Sequence, residues 1–220
     1  MKHPVCYTPE QQEQIQNVID DIYGGDECGM IAHEITSEYV HTDTRIIAPE
    51  GDKRTFVTFG MSARAMDAPH PDLEHVELLM CASEALEPNS KEAMVLISEM
   101  VRLSKYPFRN QTWLGHGHTI DASGDFKETF GFDAFALICD EAIEIDGIGK
   151  VEFLLAVPIY EQEREWIMET DTFGGYLLLN RVFGQQLHYA DIRREKYIPD
   201  EKTKVVEALK DYLEWVRQHP

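Results

Sequence analysis

The residue types that come nearest to chemistry stand in Trp113-Leu114-Gly115-His116-Gly117-His118-Thr119, with Asp121 and Asp125 just beyond. On a strand His116 and His118 would point to one face, and two imidazoles with a nearby carboxylate could hold a divalent metal of the zinc or iron type. A metal-activated water would then make the chain a metal-dependent hydrolase. Two ligands at this spacing are weak evidence, because the glycines also permit a bulge or close backbone contact while the histidines hydrogen-bond within or beside the core. Other catalytic signatures fail one by one. Gly60-Met61-Ser62-Ala63-Arg64 ends in Arg where the strained turn of a nucleophile elbow needs Gly. His33-Glu34-Ile35-Thr36-Ser37 lacks the second His, one helical turn on, of a zinc pair. Gly147-Ile148-Gly149-Lys150 has neither the spacing of a phosphate loop nor its Ser/Thr, and Gly115-His116-Gly117 is not completed to a dinucleotide fingerprint. No catalytic residue, metal ligand or cofactor is assigned.

Carboxylates are plentiful, but their spacing singles out no general acid and base. They fall in two segments: Glu10 to Glu50 carries a net charge of −9 and Asp140 to Asp171 a net of −8. Such runs are either solvated faces or an electronegative docking surface. Arg193-Arg194 with Lys196 is a small basic spot, suited to salt-bridging those acids or to contacting an anion. Over its 220 residues the chain sets 40 Asp and Glu against 20 Lys and Arg, a formal charge of −20. That excess repels phosphate backbones and anionic headgroups, which argues against nucleic-acid and membrane-surface partners and for a basic protein. With 43% apolar residues the chain has ample core material, so wholesale disorder is excluded.

Cys6, Cys28, Cys81 and Cys139 contain no CxxC pair and read as reduced thiols. No apolar run is long enough to span a bilayer, and the first nine residues fit neither a secretory signal nor a transit peptide. The expected location is cytoplasmic.

The elements that must position these residues follow from periodicity. Thr8-Pro9 opens a helix over 10–23 with Ile15, Val18, Ile19 and Ile22 on one stripe, closed by Gly24-Gly25. Alternation between Ala32 and Ala48, a turn at Pro49 to Asp52, and Arg54 to Phe59 predict two strands. Met61 to Leu73 reads as a loop and His75 to Cys81 as a strand. Ala93, Leu96, Ile97, Met100, Val101 and Ser104 predict a second helix that Pro107 should stop. Further strands are expected around Trp113 to Ile120, Phe132 to Cys139 and Val151 to Val157, and helices over Glu161 to Met168, Phe173 to Val182 and 201–217. Strands and helices mix without strict alternation, which predicts an α+β fold: one domain over 1–220, a mixed and mostly antiparallel sheet packed with several helices.

Several segments in one order resemble the suppressor-of-fused family: Thr55 to Ser62, Val76 to Met80, Leu103 to Phe108, Thr112 to Ile120, Val151 to Leu155 and Asp191 to Arg194. The resemblance is strongest over 55–198 and similar to the first domain of the animal proteins. It implies a non-enzymatic binding domain. Animal members hold an extended peptide of a transcription factor between two domains, and bacterial members of this size look like immunity proteins that neutralise a toxin. The resemblance maps partner contacts to Tyr106 and the His116-Gly117-His118 segment, and the expected binding set is Tyr106, Phe108, His116, Gly117, His118, Arg193 and Arg194. Where animal members carry an acidic residue directly before the histidine, this sequence has Gly117, so the animal peptide is not the expected ligand. The expected partner is a basic toxin domain; a scaffold without a dedicated partner is the remaining alternative.

Overall fold

The structure, a computed structural model, describes residues 4–24, 28–34, 38–47, 54–82, 86–87 and 89–170, with side chains at 28–30 and 169–170 left aside. The helices expected over Phe173 to Val182 and 201–217, the turn at Pro49 to Asp52, and Arg193 and Arg194 lie outside the described residues.

Helix α1 (Pro9–Tyr23) starts where the sequence places it. The Thr8 hydroxyl accepts the Gln11 N–H at 3.3 Å while the Gln11 side chain accepts the Thr8 N–H at 3.0 Å, a reciprocal cap. Gly24, at φ 86°, closes the helix in the left-handed conformation. Strands β1 (Cys28–Ala32), β2 (Asp43–Ile47), β3 (Arg54–Phe59) and β4 (His75–Ala82) form an antiparallel meander. Helix α2 (Lys91–Asn110), β5 (Thr119–Asp121), α3 (Gly124–Phe130), β6 (Ala134–Ile145), β7 (Gly149–Ile159) and α4 (Glu161–Thr170) follow. The sheet order is β1-β2-β3-β4-β7-β6-β5, and β4–β7 is its parallel pair.

Two apolar layers hold helices on both faces of this sheet. Phe56, Leu78, Met80, Phe135, Leu154 and Ala156 meet Leu96, Met100 and Leu103 of α2 on one side. Val57, Leu79, Ala136, Phe153 and Leu155 meet Ile15 and Ile19 of α1 and Ile167 of α4 on the other. Neighbours such as Leu78 and Leu79 therefore serve opposite layers, which is why β4 and β7 read as nearly unbroken apolar runs. No described helix is long and apolar enough to cross a membrane.

Three expectations are corrected. The alternating stretch from Ala32 to Ala48 is not one strand; the described residues between Ala32 and Asp43 form a connection whose Glu34 and Asp43 side chains bond its own backbone. Pro107 does not stop α2. The ring removes one N–H, but the helix runs another turn because the Pro107 carbonyl accepts the N–H groups of Gln111 and Thr112, and Asn110 Nδ2 donates to the Tyr106 carbonyl at 2.8 Å. The strand around Trp113 to Ile120 shrinks to β5, and α3, capped by the Ser123 hydroxyl on the Phe126 N–H at 3.2 Å, was not anticipated.

Candidate partner-binding site

The path from α2 to β5 is shaped by two glycines. A Cβ at Gly115 would lie 2.3 Å from the Trp113 ring, so only glycine lets the indole fold over its own chain. Gly117, at φ 86°, then reverses the backbone. The turn is fastened to β6: Gly117 N–H donates to the Leu137 carbonyl and Leu137 N–H to the His118 carbonyl, both at 2.8 Å. Because the chain turns here, the two imidazoles do not share a strand face. His116 is exposed, and its Nδ1 accepts the Cys139 N–H at 3.0 Å. His118 lies edge-on to Trp113 with ring centres 4.3 Å apart, and burial there lowers its pKa against the opposing effect of a hydrogen bond to the Trp113 backbone. Among the described residues, no group of three or more His, Cys, Asp or Glu side chains could hold a metal ion.

Tyr106 and Phe108, on the last turns of α2, are half-buried against the α2-side core together with Trp113. Phe108 stacks on Tyr39 at 6.5 Å, and the Arg64 guanidinium lies 5.1 Å from the Phe108 ring centre and 5.7 Å from that of Tyr39. Arg64 Nη1 also donates to the Tyr39 carbonyl at 3.1 Å. Tyr, Phe and Arg on a rigid support are side chains suited to anchoring a partner. The expected contacts within the described residues thus fall in two groups: Tyr106 and Phe108 on α2, with Tyr39 and Arg64 against Phe108, and the His116 to His118 turn on the edge of β6. Neither Tyr39 nor Arg64 was foreseen, since nothing in their local sequence marks them.

Several segments that carried the family resemblance turn out to build the interior. Glu77 of β4 is fully buried; its Oε1 accepts the N–H groups of Gly60 and Ser62 at 3.1 and 3.0 Å and the Tyr7 hydroxyl, and its Oε2 accepts the Thr58 hydroxyl. Burial raises the pKa of Glu77, partly offset by these donors, and burial next to Glu77 raises that of Tyr7. A Cβ at Gly60, where φ is +119°, would lie 2.2 Å from the His41 carbonyl oxygen. Lys105, buried on α2, donates to Glu34 Oε2 at 2.8 Å, to Thr42 Oγ1 at 3.3 Å and to the Val40 carbonyl, tying down the β1–β2 connection. The sequence signal for Glu77 is a carboxylate inside the apolar run of β4; Lys105 lies beside the apolar stripe of α2 and carries no such signal.

The two acidic segments meet. Gln14 of α1 donates to Asp146 Oδ2 and accepts the Asp146 N–H, each at 3.0 Å; Gln11 donates to the Asp146 carbonyl at 3.2 Å, and Tyr23 donates to Asp140 Oδ2 at 3.1 Å. Exposed Glu10, Glu13 and Asp21 of α1 therefore share one side of the sheet with exposed Asp140, Glu141 and Asp146 of the β6–β7 hairpin. His116, bonded to Cys139, stands where that acidic stretch begins.

Among the described residues, fold and site together define an α+β domain with a mixed seven-stranded sheet between helical layers. The chain belongs to the suppressor-of-fused family, whose model (Suppressor of fused protein, SUFU) matches residues 38–195, and which acts through protein interaction in its animal members. A chain in a crystal structure of the Sufu–Fu complex is similar with a TM-score of 0.66 at 14% identity, covering 94% of this chain and 97% of that one. Drosophila Suppressor of Fused gives 0.65 at 16% identity; 94% of this chain spans 55% of that one. A homologue from Neisseria gonorrhoeae FA 1090 gives 0.60 at 12% identity, covering 87% and 98%. Identities this low establish the fold. No curated protein matches the sequence.

Proposed function

We propose that this chain is a non-enzymatic, cytoplasmic immunity protein that neutralises a basic toxin domain by stoichiometric binding. One observation carries the reading: α1 and the β6–β7 hairpin, far apart in sequence, are fastened together so that their carboxylates make one face. Opposite charge speeds encounter and selects partners, and a toxin that acts on nucleic acid must itself carry a phosphate-binding basic surface. An acidic inhibitor on that surface blocks it by occlusion.

His116, Gly117 and His118 supply specific contacts where this face begins, Tyr106 and Phe108 supply contacts on the α2 side of the sheet, and Arg193 and Arg194 are further contacts. Toxins encoded beside the gene should be co-expressed with the chain and complex formation followed over a salt series. The reading predicts protection of the host and a one-to-one complex that weakens as salt rises. No complex with any neighbouring toxin overturns the immunity role, and a salt-insensitive complex overturns its electrostatic part.

A further inference from the structure

Strand β6 is longer than what covers it. β5 pairs with residues 134–136, the Gly117–His118 turn bonds Leu137, and the His116 ring takes the Cys139 N–H. From residue 141 to 145, β6 pairs with β7 on one side and no described strand lies along the other, where α1 touches the two ends of the stretch through Tyr23 on Asp140 and Gln14 on Asp146. An irregularity in register between Cys139 and Glu141 separates the two halves. Beyond it the Ala142 N–H meets the carboxylate of its neighbour Glu141 at 3.3 Å, which marks it as pointing off the edge that no described strand covers. The two-residue period of a strand puts the Glu144 N–H on the same edge.

Open edges accept added strands, and proteins usually guard them with lysine or proline. Among the described residues this edge is lined by acids. Asp140, Glu141 and Glu144 are exposed, no Lys or Arg occurs from 140 to 149, and the adjoining α1 has none either. Lys150, the nearest cation along the hairpin, is bound to Glu152 at 2.7 Å. The fringe repels a second copy of the same edge and suits a cationic strand.

We propose that residues 140–145 of β6 receive an extended basic segment of the partner as an added strand. Its main chain bonds Ala142 and Glu144, and its Lys or Arg side chains, all on one face of the added strand, pair with Asp140 and Glu141 on the α1 side of the sheet. The inference rests on the reading that the partner is a basic protein, and adds where and in what conformation that partner binds.

The test titrates the isotope-labelled full chain with a ten-residue peptide alternating Lys and Thr, and with its Glu/Thr counterpart. The Lys/Thr peptide should slow hydrogen exchange at the Ala142 and Glu144 amides, and the Glu/Thr peptide should not bind. Ala142→Pro keeps every charge and removes an N–H outside the β6–β7 ladder, so it should fold while binding the Lys/Thr peptide about tenfold more weakly. Equal binding by this variant and the wild type, absence of protection at both amides, or no binding of the peptide at low salt overturns the proposal. If a neighbouring toxin holds Ala142→Pro as tightly as wild type, the immunity role stands and the added strand falls. If no toxin binds but the Lys/Thr peptide protects both amides, the edge stands and the immunity role falls.

Discussion

Glu77 is a carboxylic acid sealed from water, with two backbone N–H groups and two hydroxyls aimed at it. Two forces oppose each other there: burial favours the protonated form and the donors favour the anion, with burial the larger. A folded-state pKa raised above the unfolded value of about 4.3 contributes stability that is complete below that value and is lost as pH rises through the folded one. Glu77→Gln does not titrate. Its amide keeps an oxygen for Gly60, Ser62 and Tyr7, and its NH₂ can donate to Thr58, whose hydroxyl turns to the Leu78 carbonyl 3.5 Å away. Urea midpoints of this variant should therefore gain on wild type as pH rises above about 4.3; a difference constant with pH contradicts the assignment. Glu77→Leu leaves the Gly60 and Ser62 N–H groups buried without an acceptor, at about 1–3 kcal/mol each, and should be far less stable at every pH.

The β1–β2 connection is held by a side chain from another layer. Lys105 reaches from α2 to Glu34, Thr42 and the Val40 carbonyl, while Phe108, one turn on, stacks on Tyr39. Lys105→Met leaves the Glu34 carboxylate without its buried cation, and losing one partner of such a pair costs about 3–5 kcal/mol. Adding Glu34→Gln should restore part of this, measured as a non-additive double-mutant cycle; strict additivity would mean the pair is not coupled. Elements of this molecule were legible where their period is long and their partners are local. The stripe of Ile15, Val18, Ile19 and Ile22 gave α1 to within a residue, and the apolar runs gave β4 and β7. What stayed hidden depends on contacts from elsewhere: Pro107 is tolerated because later residues cap its carbonyl, and seven-residue α3 is too short to show a period. The site was legible in part for the same reason. Tyr106, Phe108 and the histidines stand in a recognisable stretch, but a left-handed Gly117 and an Arg64 drawn from the loop after β3 are set by tertiary contact.

At the scale of the molecule part of the formal charge of −20 is pooled, since α1 and the hairpin bring their acids together. Self-repulsion on that face weakens the fold at low ionic strength, so the thermal midpoint should rise between about 20 mM and 500 mM NaCl. A midpoint that falls would show that exposed ion pairs outweigh the repulsion. The parallel junction at the sheet's centre has another kind of consequence. His75 pairs with Val151, so β4 waits for a partner that lies 76 residues further along the chain. Closing so long a loop is slow, and on the ribosome the apolar β1–β4 meander is finished well before β7 exists to cover its last edge. During that interval the acids of α1, synthesised before the meander, add negative charge that opposes the joining of neighbouring nascent chains edge to edge.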